Sequence, residues 1–336
     1  MTVNDATASG GPGSGGGDWL AASFAEYRPH LRSVAYRMLG SLAEADDAVQ
    51  EAWLRLARAD TADVRNLRAW LTTVVSRVCL DLLRSRAARR EDSLDVHVPD
   101  PIVTAAGDDP QEHALLADSV GIALLVVLDT LPPAERLAFV LHDVFAVPFD
   151  DIGRALDRSP GAAKQLASRA RQRLRGAGAV SGGPESGGPV SGGAVSGGAV
   201  SGGPEYGGPV SVADRARQRA VVTAFQAAAR DGDFDALMAL LDPDVVLRAD
   251  AGAGPLGPST LLRGAPAVLA QNRRFAPLGQ FARLVLVNGE PGFLVAPGGQ
   301  PAALLAITVR GDRITEIDIL ADPARLAQLD LTAVLP

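Results

Sequence analysis

The sequence predicts a multidomain chain: two all-α helical bodies followed by a C-terminal α+β body. Three observations carry this. Helical periodicity runs without strand-like alternation from Trp19 to Arg90, and returns over 149–175. Six Gly-rich pentads (GGPES, GGPVS, GGAVS, GGAVS, GGPEY, GGPVS) then fill Gly182–Ser211 and read as a flexible tether. Beyond them, helix patterns precede a series of strands, the order of an α+β domain. The expected boundaries are a disordered tail over 1–17, a helical body over 18–90, an acidic linker over 91–111, a helix-turn-helix body over 112–176, the repeat linker over 177–211 and the α+β body over 212–336.

A length of 336 residues suits two or three domains, and with aromatics at only 4% the cores must be built from Leu, Val and Ala. The net charge of −7 would oppose nucleic-acid binding if it were evenly spread, but it is not. The single cysteine, Cys79, excludes an internal disulfide framework and any Cys-based zinc site, and its apolar surroundings predict an inert buried thiol. No metal or cofactor is expected. The N-terminus lacks the apolar core of a signal peptide, and the apolar run Ile122–Leu128 is too short to span a bilayer. A soluble cytoplasmic chain with no membrane partner is expected.

The first amphipathic helix carries Phe24, Tyr27, Leu31, Val34, Ala35, Met38 and Leu39 on one face and stops at Gly40. Ser41 with Glu44 predicts a capping box for the second, which buries Leu42, Ala45, Val49, Ala52 and Leu56. Its other face lines up Asp46, Gln50 and Trp53, with Asp47 and Glu51 beside them, either a docking face or a solvated one. The third helix turns Leu71, Val74, Val75, Val78 and Leu82 inward, while Trp70, Thr73, Arg77 and Arg84 share a stripe. Six arginines and one acid over 68–90 suit melted DNA, where bases stack and phosphates pair with Arg; a core role for Trp70 is the alternative. Glu91–Glu112 reverses the balance, with seven acids, no Lys or Arg, and three prolines: an irregular tether that cannot lie on DNA.

Two short helices follow over Phe149–Arg175. Phe149, Ile152, Ala155 and Leu156 share a face, Asp157-Arg158 makes the corner, and Ser159-Pro160 caps and opens the second helix. There Ala163, Leu166, Ala167, Ala170 and Leu174 form the apolar stripe. From Ile152 to Gly176 seven basic residues face one acid, the charge pattern with which a helix-turn-helix meets a phosphate backbone and a major groove.

Taken together, YRPHLRSVAYRMLGSLAEADDAVQEAWLRL (27–56), NLRAWLTTVVSRVCLDLLRSRAARR (66–90) and LDTLPPAERLAFVLHDVFAVPFDDIGRALDRSPGAAKQLASRARQRLR (128–175) resemble an extracytoplasmic-function sigma factor, the first two its region 2 and the third its region 4. The resemblance implies that Asp46, Asp47, Gln50 and Glu51 bind core RNA polymerase. It implies −10 promoter recognition by Asn66, Trp70, Arg77 and Arg84, and −35 recognition by Lys164, Gln165, Ser168 and Arg169, with Arg171 on the DNA backbone. By the same resemblance the linker could thread the nucleic-acid channel of the polymerase; plain disorder, which needs no partner, is the alternative.

In the last body, helices are expected over about 213–230, 233–241 and 265–274, with strands at about 245–250, 281–288, 292–296, 302–309 and 313–320 and a closing turn at Asp322-Pro323. This order resembles the SnoaL-like branch of the NTF2-like fold. ADAGAGPL (249–256) and DPARL (322–326) resemble motifs of sigma factors that carry such a tail, which implies regulatory roles for Asp250, Asp322 and Leu326. The tail holds 12 Arg against 13 acids and lacks His, Tyr and Cys, so neither a third DNA-binding unit nor an acid–base enzyme is expected. Asp250, Glu316 and Asp318 are the acids that could face a pocket. The tail is expected to contact the sigma bodies or sense a small molecule. Three functional readings stand: an initiation factor tuned by its tail, a ligand-gated helix-turn-helix regulator independent of polymerase, and an enzyme with a DNA-targeting module.

Overall fold

The computed structural model describes residues 15–59, 66–89, 96–106, 121–179 and 212–335. The first body is three helices: α1 (Gly15–Leu39), α2 (Leu42–Arg58) and α3 (Leu67–Arg89). Gly40 ends α1 with φ +70°, a conformation that only glycine adopts without strain. α2 buries Ala45, Ala48, Val49, Ala52 and Leu56. The capping box does not form: Ser41 makes no side-chain cap bond, and Glu44 instead pairs with Arg86 of α3. An ion pair between helices outcompetes the local reciprocal bond. α1 also starts at Gly15, inside the tract expected to be coil; the rest of that tract lies outside the described residues.

α3 is buried on more sides than one stripe requires. Leu71, Val75 and Cys79 are buried, and so are Thr72, Ser76, Leu80 and Leu83. Thr72 lies against His30 of α1, and the second body also packs against α3. It comprises α4 (Ile122–Asp129), α5 (Pro133–Phe139), a π-helical turn (Val140–Val144), α6 (Phe149–Leu156) and α7 (Pro160–Ala179). The corner between α6 and α7 holds Asp157 at φ +52°, and the chain passes so close that a Cβ on Gly153 would lie 2.7 Å from the Arg158 carbonyl. The Ser159 hydroxyl accepts from the Ala162 N–H at 3.2 Å, capping α7. Ala163, Leu166, Ala167, Ala170 and Leu174 are buried as periodicity predicts.

The third body contains α8 (Val212–Asp231), α9 (Phe234–Leu240), β2 (Leu241–Asp250), β3 (Thr260–Arg263), α10 (Ala265–Phe275), β4 (Ala282–Val287), β5 (Glu290–Val295), β6 (Ala303–Arg310), β7 (Arg313–Leu320) and α11 (Pro323–Leu326). Among the described residues its sheet has seven strands in the order β1 (Val103–Ala105)-β4-β5-β6-β7-β2-β3, and all neighbours are antiparallel except β2 and β7. The first strand is foreign to the body. β1 (Val103–Ala105) comes from the linker, and Val103, Thr104 and Ala105 pair with Val287, Leu286 and Val285. The linker is therefore not irregular throughout: Val98, Ile102 and Val103, apolar residues among the acids, are buried. The remainder of the linker and the repeat tether lie outside the described residues.

Alternation along the strands sorts the sheet into two faces. Leu247, Phe293, Ile307 and Ile317 pack against Val222, Phe225, Leu237 and Val268 of α8, α9 and α10. On the opposite face Val285, Val287, Leu294, Leu304, Ala306 and Leu320 join the apolar core of the first two bodies. The three bodies thus share one core, with α4 against β7 and α6 against α3.

Candidate nucleic-acid interface

α7 is built to show one face. Its apolar stripe is buried while Lys164, Gln165, Ser168 and Arg169 are exposed together at i, i+1, i+4 and i+5. Arg169 lies 4.0 Å from Glu135, which Arg173 engages more closely at 2.9 Å. Arg171 is turned aside, its Nε donating to Asp143 at 2.7 Å. The exposed quartet combines two cations with two side chains that donate and accept hydrogen bonds, the chemistry that base edges and phosphates require.

The residues expected at the −10 element are divided. Asn66 is exposed and caps α3, its Oδ1 accepting from the Ala69 N–H at 3.0 Å. Trp70 is half-buried against the shared core, and Arg84 is exposed, 3.8 Å from Asp81. Arg77 is held by the second body: its Nη2 donates to the Arg154 carbonyl at 2.5 Å and to Asp157 Oδ1 at 2.7 Å. These acceptors sit at the C-terminus of α6, where backbone carbonyls and the helix dipole attract a cation. In this conformation Arg77 does not share an open face with Asn66 and Arg84.

On α2, Asp47 and Gln50 are exposed, while Asp46 accepts two bonds from Arg32 at 2.8 and 2.9 Å and so ties α1 to α2. Glu51 pairs with Arg55 one turn on, at 2.9 Å. Trp53 is a packing residue, its ring 5.0 Å from that of Phe24.

The tail residues meet the linker. Asp322 caps α11 by accepting from the Ala324 N–H at 2.8 Å, which presents Arg325. Arg325 donates to the Val98 carbonyl at 2.6 Å, to Asp250 at 2.6 Å and, through Nε, to Asp100 at 3.0 Å. Asp250 also accepts from the Val98 N–H at 3.2 Å and lies 3.3 Å from His97. Burial alone would raise its carboxyl, but His97, the Val98 N–H and Arg325 outweigh that and hold it below the ordinary value of 3.8. Leu326 is buried in the shared core.

Three contacts here were not legible as site residues. The β4–β5 turn, Asn288-Gly289, has positive φ at both residues, as an Asn-Gly hairpin requires. Asn288 is buried; its Oδ1 accepts from the Ile102 N–H at 2.7 Å and its Nδ2 donates to Tyr36 Oη at 3.0 Å. Tyr36 Oη in turn donates to the Asp100 carbonyl at 2.7 Å, joining the first body, the linker and the tail. Arg136, buried in α5, donates to the Leu128 carbonyl and to the Met38 carbonyl of α1, each at 2.7 Å. Its signal was a cation abutting the apolar run of 137–141.

Asp250, Glu316 and Asp318 lie on the face of the sheet turned toward the other two bodies, not toward the helix-covered face. Arg248 bridges Glu316 at 3.1 Å and Asp318 at 2.9 Å, and Glu290 reaches the start of α4 beside Gly121. Burial, then Glu316 and Asp318, push the Glu290 carboxyl up to about 7 against the pull of Arg310. Burial likewise pushes Asp318 up to about 6, against Arg248.

The Sigma-70 region 2 family matches residues 24–89, and the Sigma-70 region 4 family matches residues 122–174. The ECF RNA polymerase sigma factor SigJ of Mycobacterium tuberculosis is 38% identical over 317 residues, covering 90% of this chain and 91% of that one. The probable ECF RNA polymerase sigma factor SigI of the same species is 32% identical over 326 residues, covering 93% and 96%. The crystal structure of Mycobacterium tuberculosis SigJ superposes with a TM-score of 0.68 at 34% identity, over 93% of this chain and 99% of that one. With region 2 in α1–α3, region 4 in α4–α7 and an α+β body after them, the chain belongs to the extracytoplasmic-function family of RNA polymerase sigma factors.

Proposed function

We propose that this sigma factor docks on core RNA polymerase through α2 and reads promoters through α3 and α7, with its tail setting how readily regions 2 and 4 engage DNA. Asp46, Asp47, Gln50 and Glu51 form the polymerase face, with Asp47 and Gln50 the most open. Asn66, Trp70, Arg77 and Arg84 serve the −10 element; Lys164, Gln165, Ser168 and Arg169 serve the −35 element, with Arg171 on a phosphate after it leaves Asp143. The observation that carries the reading is the division of α7 between a buried stripe and an exposed basic, hydrogen-bonding quartet. The pairing of Arg77 with Asp157 supports a closed form of the free chain, one that opens as Arg77 turns to DNA. The grip of Asp250 and Arg325 on the linker, with Asp322 capping the helix that presents Arg325 and Leu326 anchoring that helix in the core, supports the tail as the element that sets this balance. A non-catalytic tail fits the placement of Asp250, Glu316 and Asp318 on the sheet face turned toward the sigma bodies.

Run-off transcription with core polymerase on templates randomised at −35 tests the reading. Gln165→Ala and Arg169→Ala should relax one or two positions, whereas Arg171→Ala should weaken all templates alike and flatten the salt dependence. Equal loss on every template for all three variants would overturn base reading by α7.

A further inference from the structure

The helix-covered face of the tail's sheet encloses a cavity of about 160 Å³ that promoter reading does not use. Leu247, Phe293, Leu305, Ile317 and Ile319 of the strands and Phe275 of α10 form its apolar body. An apolar cavity of roughly 150 Å³ excludes water and accepts a ring such as benzene. The rim has a different character. Arg230 is the single charged residue in the lining, which contains no acid, and Gln226, Gln271 and Asn272 are its other polar members. Gln226 is already engaged, donating to the Ala282 carbonyl at 2.9 Å, whereas the side-chain amides of Gln271 and Asn272 make no hydrogen bond among the described residues.

We propose that this cavity binds a small apolar carboxylic acid, of roughly ten heavy atoms, and that its occupancy tightens the tail's hold on the linker. The chain or ring lies against the strands, and the carboxylate meets Arg230, Gln271 and Asn272. A cation would face the like charge of Arg230 and find no acid there. The path to the linker is short. Ala321 and Leu256 are part of the cavity wall, and the Ala321 N–H donates to the Asp250 carbonyl at 2.7 Å. The next residue, Asp322, caps the helix whose Arg325 holds Val98 and Asp100. Filling the cavity removes the room into which Leu256 and Ala321 move, and so stiffens both sides of that hold.

The test uses the full-length protein, octanoate as probe and octylamine as its cationic counterpart, followed by calorimetry and by hydrogen exchange at the Val98 and Asp100 amides. Octanoate should bind with a dissociation constant of about 0.1–1 mM, octylamine about tenfold more weakly or not at all, and octanoate should slow exchange about threefold or more. Leu305→Trp, which fills the cavity, should abolish binding. Arg230→Ala, at the exposed rim where folding is not at stake, should weaken octanoate about fivefold with an unchanged melting temperature. Absence of octanoate binding, equal affinity for octylamine, or binding indifferent to Arg230→Ala overturns the ligand assignment; binding with unchanged exchange overturns the coupling. Neither polymerase nor DNA is present, so failure here is separate from failure of promoter reading.

Discussion

Arg325→Ala removes the centre of the contact between tail and linker, and its effect can be worked from the geometry. The arginine is 19% exposed, between Asp100 at 25% and Asp250 at 14%, so solvent screens it weakly. It donates to both carboxylates and to the Val98 carbonyl. Each charge-assisted bond contributes about 1.5–3 kcal/mol in a favourable setting, but the bonds share one guanidinium and do not add. Deletion also leaves two carboxylates facing each other without their cation. A net loss of about 2–3 kcal/mol for local opening follows, which is roughly 30- to 150-fold faster exchange at the Val98 and Asp100 amides. Arg325→Lys keeps the charge but not the planar fork and should give an intermediate value. Exchange within about threefold of wild type for Arg325→Ala, with the rest of the molecule unchanged, would refute the view that this arginine holds the linker.

Asp157→Asn keeps the left-handed corner and removes the charge that holds Arg77; with the pair 44% and 83% exposed, run-off transcription should rise only modestly, about twofold, and a fall would contradict the closed form. Asp47→Lys with Glu51→Lys should abolish co-purification with core polymerase while circular dichroism stays unchanged, because neither side chain is in the core; retained binding removes α2 as the docking helix. Glu290, with its carboxyl moved from 4.5 to about 7, holds its proton more tightly folded than unfolded. Its favourable effect is therefore full below pH 4.5 and is lost as pH rises to about 7. Glu290→Gln should stabilise the protein by about 2–3 kcal/mol at pH 8 and by little at pH 4, as denaturant midpoints will show; an equal effect at both would mean that the carboxyl titrates normally.

What the sequence disclosed was local. The stripe of α7, the stop at Gly40 and the cap at Ser159 each depend on residues within a turn or two, and each stands where periodicity and capping chemistry put it. What it concealed depended on partners far along the chain. Glu44 is three residues from Ser41, yet its ion pair is with Arg86, and Arg77 looks like a free DNA contact until α6 is packed against α3. β1 is three residues among acids, too short to show alternation, and only the exposed edge of β4 makes it a strand. The excess burial of α3 had the same origin: a helix can disclose its first buried face by its period, but a second face reads as noise until its partner is known.

The strand drawn from the linker also sets an order of events in time. The Ile102 N–H waits for Asn288, 186 residues downstream. At roughly 5–20 residues per second, a ribosome needs about 10–40 s to supply that partner. From the end of region 4 at residue 174 to Asn288, 114 residues or about 6–23 s at that rate, regions 2 and 4 have been translated while the sheet edge that receives Val103–Ala105 is incomplete. Every newborn molecule thus passes through a tail-free stage, with its linker strand and α4 uncovered, before it reaches the closed form. The rate of translation across residues 175–288, rather than the stability of the finished protein, decides how long that stage lasts.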